Sequence, residues 1–393
     1  MIVGGTLMKK KKILDIIVMA FLVLNPLIDL FGCFQDKYLN IPVSINYIIR
    51  GLFFLGIFIY LFTKKDNRKM LIVFLVYFLL AISSYFMRSL NLYEELVNIL
   101  KIFYLPIMMM FFAKYRNEYI DDRFILGTYF LYIITFVIMY IFKVNKEYLN
   151  TIGVILVGLL PITLNYVLEA KSYILKIVFG LALALSIYLI STKLIVLGVF
   201  LVTLCTLFGK YKYEFIYNGF KKRLKIILIF LAFIGVFVLL VRFSPFYINV
   251  KNQIIGLNIH SFKDVYKLRT IDRFVFSGGI TRVDNVMGPL LKHGYTNIMY
   301  GIGKTGIVKY TGIDIFDIFA TTGLFGGVIF IFMFSFIHRK TELKKVYYFS
   351  YLVFVITSIF IGSVLIYPSI SLLMSTLYLV SFNSDKIVKK KSC

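Results

Sequence analysis

Apolar residues in this chain fall in long blocks, neither alternating as in a half-buried strand nor recurring as a single helical stripe. Runs of about 15–25 residues predict membrane-crossing helices at 13–34, 43–62, 70–87, 96–113, 124–142, 150–168, 173–190, 192–209, 224–241, 312–337, 346–362 and 364–382. That is about twelve spans in one membrane domain covering 1–393, separated by short lysine-rich turns. One long polar interval interrupts the series at 242–310, between the ninth and tenth spans. The fold class expected is an all-α polytopic bundle whose long loop carries short helices.

Composition sharpens this picture. Hydrophobic residues make up 60% of 393 positions, more than a water-soluble core hides, so a soluble fold is excluded. The formal charge of +25 invites a nucleic-acid reading. Its distribution argues otherwise: with the N-terminus placed in the cytoplasm, the inward turns and the tail hold about 27 of the 44 Lys and Arg, and the short outward turns about 5. This predicts a multi-pass protein of a bacterial cytoplasmic membrane, with both termini cytoplasmic, the 242–310 loop extracytoplasmic, membrane lipids as partners and no nucleic acid. The opening MIVGGTLMKKKK precedes an apolar run without an early small-residue cleavage site, so it reads as a retained first span. Tyr (29) and Phe (41) near span ends serve as interfacial anchors in the absence of Trp. Cys33, Cys205 and Cys393 lack paired or metal-ligand spacing and read as structural.

Four ionisable side chains fall inside apolar runs, all toward the outward end: Asp29, Arg50, Lys101 and Lys193. Each is costly in hydrocarbon and needs a partner or a wet cavity. Spans 1 and 2 form an antiparallel hairpin that brings Asp29 and Arg50 to similar depth, where they can neutralise each other. Lys101 and Lys193 lack a nearby acid; they either snorkel to the headgroups or line a cationic pocket suited to phosphate.

The 242–310 loop carries ten basic residues. Within it RVDNVMGPLLKHG predicts a short amphipathic helix, with Arg282, Asn285 and Pro289 toward one face and Val283, Met287, Leu290 and Leu291 available to lie on the membrane surface. Asp284 either serves the chemistry or sits solvated in the first turn, where the helix dipole favours an acid. Gly301-Ile302-Gly303 reads as a tight backbone turn more readily than as a phosphate loop.

The order of LNPLIDL, IIRGLF, ELVNILKIFYLPIMM, LISTKLIVLG, the Ser277-Gly278-Gly279 loop with Arg282 and its helix, GIG, and DIFDIFATTGLFGGVIF resembles the O-antigen polymerase and ligase superfamily, the Wzy-like capsular polysaccharide polymerases. In that family an arginine directly follows Ser-Gly. Here Arg282 stands further on, which leaves Arg273 as a rival. The resemblance also puts Lys193 at a basic position and Asp314 or Asp317 at an acidic one. It implies a bundle like those of the large helical (GT-C) glycosyltransferases, joining undecaprenyl-diphosphate-linked oligosaccharide repeats on the outer face, with a chain-length regulator as a possible partner. In that reading Arg282, Asp284 and His293 are catalytic, and Arg50, Lys101, Lys193 and Arg273 hold the diphosphate. His260 and Asp314 are further candidates for the proton acceptor. No cofactor is expected, and with no metal-ligand spacing in the sequence, no metal. The alternatives are a ligase of the same superfamily and a lipid-linked oligosaccharide flippase or exporter, for which paired halves and midplane charges would be expected.

Overall fold

The computed structural model describes residues 2–39, 44–190, 192–217, 219–244, 247, 251, 279–292, 294–304, 311, 313–340, 343, 345–360 and 364–391. Among these the only regular elements are helices. They are α1 (Ile2–Phe34), α2 (Ile45–Phe62), α3 (Lys65–Met87), α4 (Leu92–Phe112), α5 (Asp122–Ile141), α6 (Lys146–Glu169) and α7 (Tyr173–Leu189). They continue as α8 (Lys193–Tyr217), α9 (Phe220–Phe243), α10 (Gly279–Lys292), α11 (Tyr295–Tyr300), α12 (Asp314–Lys340), α13 (Lys345–Phe360) and α14 (Pro368–Lys391). Each predicted span coincides with one of these helices, and α10 lies where the loop helix is expected.

Local chemistry sets several boundaries. Asp121 caps α5 by accepting from the backbone N–H of Arg123 and Phe124, Asn145 caps α6 through Glu147, and Ser172 caps α7 through Leu175. Pro26, Pro106 and Pro161 lie inside α1, α4 and α6.

Nine helices among the described residues are long and apolar enough to cross a bilayer, and α7 and α13 are apolar but shorter, at 17 and 16 residues. This is a polytopic membrane α-protein. Helices α4 and α6 form its centre, with 78% and 83% of their apolar stretches buried, against 11% for α9 at the rim. The last helix packs on α4, α6 and α1. It owes its place to small polar side chains: Ser369, Ser371, Ser375, Thr376 and Ser381 are all buried, and Ser375 donates to the Ser371 carbonyl. Such residues allow close backbone approach and return their hydroxyls to the helix.

The helices run antiparallel through short turns, so the bundle has two ends. One gathers the C-terminus of α1, the N-termini of α2, α4, α6 and α14, and the α10–α11 segment; it is called the loop end below. Cross-links there include Lys37 Nζ donating to the carbonyls of Phe142 and Lys143, Tyr148 donating to Asp36, and Leu365 N–H donating to Asp314. The other, basic end carries the lysine-rich turns.

Candidate anion-binding site

A buried ion pair lies below the loop end. Arg50 Nη2 donates to Asp29 Oδ1 at 2.7 Å and to Asn25 Oδ1 at 2.9 Å, and Ser369 Oγ donates to the same Asp29 oxygen at 2.7 Å. Asn25 Nδ2 in turn donates to the Tyr132 hydroxyl. Both charged residues are only 2% exposed. Arg50 stands five residues into α2 and Asp29 five from the end of α1, each about 7.5 Å along its helix. The expected hairpin pairing is therefore present, and it also fastens α14 to the α1–α2 hairpin.

The pair leaves capacity unused. Nε and Nη1 of Arg50 have no hydrogen-bond partner among the described residues, and neither does the buried Tyr104 hydroxyl. Asp29 Oδ2 is likewise without a partner among the described residues, so this dry place holds open donors beside one open acceptor, where each unmade bond costs about 1–3 kcal/mol. Arg50 and Tyr104 line a cleft of about 50 Å³ between α2 and α4, closed by Pro368 of α14 and shared with Tyr47 and Lys101. The Lys101 ammonium stands 3.8 Å from the centre of the Tyr47 ring and forms no ion pair among the described residues. A cleft of that size takes a few waters or one phosphoryl-sized group, since one water needs roughly 10–15 Å³. It does not hold a sugar chain.

At the cleft's mouth the loop is tied to the bundle by a compact junction. Glu95, buried in the first turn of α4, accepts from Lys304 N–H at 2.7 Å, while Lys304 Nζ stands 3.2 Å from Glu94. Arg88 Nη1 donates to Asn297 Oδ1 and to the Gly301 carbonyl, both at 2.7 Å. Partial burial pushes the Arg88 guanidinium below its ordinary value, and the fields of Tyr85 and Glu95 work against that shift. Gly301 and Gly303 both have positive φ, 78° and 71°, as the tight-turn reading requires.

This turn meets a break in α12. Gly323 has φ 70° and ψ −173° inside an otherwise helical run. A Cβ on Gly323 would stand 2.3 Å from both Gly301 N and Met299 O, and one on Gly301 would stand 2.3 Å from Thr321 O. Two bare backbones thus meet where any side chain would collide. Carbonyls near the break find partners across the junction: Ile302 N–H donates to Ala320 O, Tyr85 to Thr321 O and Tyr77 to Thr322 O.

The structure brings Arg50 and Lys101 together and distributes the remaining predicted residues differently. Lys193 opens α8, which packs on α6, α9 and α13. Arg282 and Asp284 lie in α10, which rests on α11 and α12. For these three the backbone alone is described. Arg273, His260 and His293 lie outside the described residues. Asp314 and Asp317 are buried: Asp314 accepts from Leu365 N–H, and Asp317 from both the N–H and the hydroxyl of Thr311, so both shape the chain around α12. One expectation about α10 needs adjusting. Val286 is its buried anchor, packed with Ile302 and Ala320 and backed by Leu290, so part of the apolar face rests on protein, whereas Met287 and Leu291 stay exposed.

Sequence reading missed Glu95, Lys304, Arg88, Tyr47 and Tyr104. A glutamate in a helix's first turn and a lysine after Gly-x-Gly are ordinary in isolation, and their pairing needs contacts 209 residues apart. No group of three or more His, Cys, Asp and Glu capable of holding a metal occurs among the described residues. Comparison of the chain with protein-family models, curated proteins and solved structures finds no match. Chemically, the arrangement offers fixed positive charge, two unused guanidinium nitrogens and a phenol in a small cleft, a combination that fits an anionic oxygen-rich group.

Proposed function

We propose that the chain is a membrane glycosyltransferase that joins lipid-diphosphate-linked oligosaccharide repeats into polysaccharide on the outer face of a bacterial membrane, as its resemblance to Wzy-like polymerases suggests. The observation that supports this best is the Arg50–Lys101 cleft: a cation with unused donors beside a second cation, at the end of the bundle that carries the long loop. In this reading twelve of the fourteen helices described above, all but α10 and α11, serve as spans, and residues 242–310 form the extracytoplasmic loop.

The reaction asks for little besides charge placement. A hydroxyl oxygen of the acceptor sugar bonds to the anomeric carbon of the donor, whose bond to the diphosphate oxygen breaks with both electrons staying on the diphosphate. Negative charge grows there in the transition state, so Arg50 and Lys101, with Lys193, Arg273 and Arg282 as further candidates, lower the barrier more than they tighten ground-state binding. The hydroxyl proton passes to a nearby base: Asp284 and His293 are the candidates from the sequence, and Glu147, exposed in the first turn of α6, joins them from the structure.

Purified protein supplied with a single lipid-linked repeat unit tests the reading. A polymerase gives a ladder of products. A ligase gives product only when a different acceptor is added, and a flippase gives none while moving the unit across a vesicle membrane. Either of the last two outcomes replaces the polymerase assignment.

A further inference from the structure

A second cavity lies between other helices than the cationic cleft. It is a groove of about 240 Å³ between α8 and α9, lined by Phe208, Lys212 and Phe215 on one helix and Ile226, Ile227 and Leu231 on the other. Its origin is visible in the packing. Phe200 lies 4.7 Å from Phe237 and 6.0 Å from Phe233, ring centre to ring centre, which closes the two helices along their middle. Toward the basic end no such ring contact continues between them among the described residues, and a groove is left above the turn that joins them. Phe208, Lys212 and Phe215 follow a helical stripe, so they face one side together.

Depth and charge say what fits. Phe208 lies 15 residues beyond Lys193 and Phe215 lies 22, about 22 Å and 33 Å along α8, so the groove straddles the far boundary of a hydrocarbon layer about 30 Å thick. Residues 209–225 carry six basic side chains and one acid, Glu214. Arg223 is occupied with the Ile216 carbonyl and Lys210 with Glu169, whereas Lys212, on the groove wall, is exposed and makes no ion pair among the described residues. An apolar slot topped by a cation at headgroup level is complementary to one molecule type: a lipid with an acyl chain and an anionic head.

We propose that the α8–α9 groove is a specific site for an anionic diacyl phospholipid, one acyl chain lying against Phe208, Phe215 and Ile227 and the phosphate held by Lys212. The site is independent of the glycosyl-transfer reading, and nothing in it requires that reaction. Its role is to fill the groove between two rim helices.

The test reconstitutes the full chain in nanodiscs of mixed phosphatidylglycerol and phosphatidylcholine, strips it into detergent and identifies the retained lipid by native mass spectrometry. The wild type should hold one lipid, with phosphatidylglycerol favoured about fivefold, the advantage one basic residue at the membrane surface confers. Ile227→Trp fills the slot and should lose that lipid; Leu231→Trp provides the same reading if the first variant fails to assemble. Lys212→Gln should keep a lipid and lose the preference. Equal retention of the two phospholipids by the wild type, undiminished retention in both tryptophan variants, an undiminished preference in Lys212→Gln, or a co-purified polyprenyl phosphate in the slot would each overturn the proposal.

Discussion

The two ends of the bundle handle positive charge in opposite ways. At the basic end cations are numerous and loosely held: Lys114 pairs with Asp66 with both side chains well exposed, and the 63–69 turn holds four cations, Lys64, Lys65, Arg68 and Lys69, all exposed. Pairs of that kind are worth little, about 0–1 kcal/mol, and their collective effect is on topology and lipid attraction. At the loop end, among the described residues, three cations have a defined setting: Arg50 is buried against Asp29, Arg88 clasps Asn297 and Gly301, and Lys101 caps Tyr47. Abundance of charge marks orientation, whereas confinement of charge marks a site.

Perturbing each end separately should therefore give unequal effects. The largest is expected from Arg50→Met, which strands a buried carboxylate and should cost about 3–5 kcal/mol of stability, read as a fall in thermal midpoint and membrane abundance. The double variant Asp29→Asn with Arg50→Met should recover most of that stability and no polymer, which separates the role in folding from the role at the site. Gly301→Ala and Gly323→Ala come next. A Cβ 2.3 Å from backbone atoms forces the junction open, so both variants should make the 294–304 segment more susceptible to limited proteolysis than in the wild type. Lys101→Met should leave abundance unchanged and lower polymer formation about 100-fold, the usual effect of removing one charge-stabilising group. Glu95→Gln, which weakens the acceptor for Lys304 N–H, should cost about 1 kcal/mol and a few-fold in rate. Replacing Lys64, Lys65 and Lys69 with Gln should leave the rate unchanged, and a loss as large as that of Lys101→Met would erase the contrast between the ends.

What the sequence disclosed followed physical range. Helices were legible because each is a local apolar run, and the Asp29–Arg50 pair because a hairpin of neighbouring helices fixes relative depth. The glycine turn at 301–303 was legible as tight geometry. Its reason was not: the contact with Gly323 joins two backbones, and the only local sign was a glycine inside the TTGLFGG stretch of an apolar run. The meeting of Lys101 with Arg50 was expected only from the family resemblance, since physically it depends on α2 packing against α4 across an intervening helix. The buried serines of α14 diluted its apolar signal, although it sits at the centre of the molecule. Amphipathic patterning placed α10 correctly as a helix and left open which apolar side chain is anchored, because Val286 finds its partners only once α11 and α12 are folded.

The central claim is that Arg50 and Lys101 together seat one phosphoryl group of a lipid diphosphate, and the most direct measurement is binding of a short prenyl diphosphate to the purified full chain. Wild type should bind it at least about 100-fold more tightly than the corresponding prenyl alcohol, since two confined cations contribute roughly 1.5–3 kcal/mol each through charge-assisted bonds. Lys101→Met, and Lys101→Met combined with the stability-restoring Asp29→Asn and Arg50→Met pair, should lose that advantage stepwise. Diphosphate affinity equal to that of the alcohol, or unchanged in the triple variant, would contradict the assignment of this cleft.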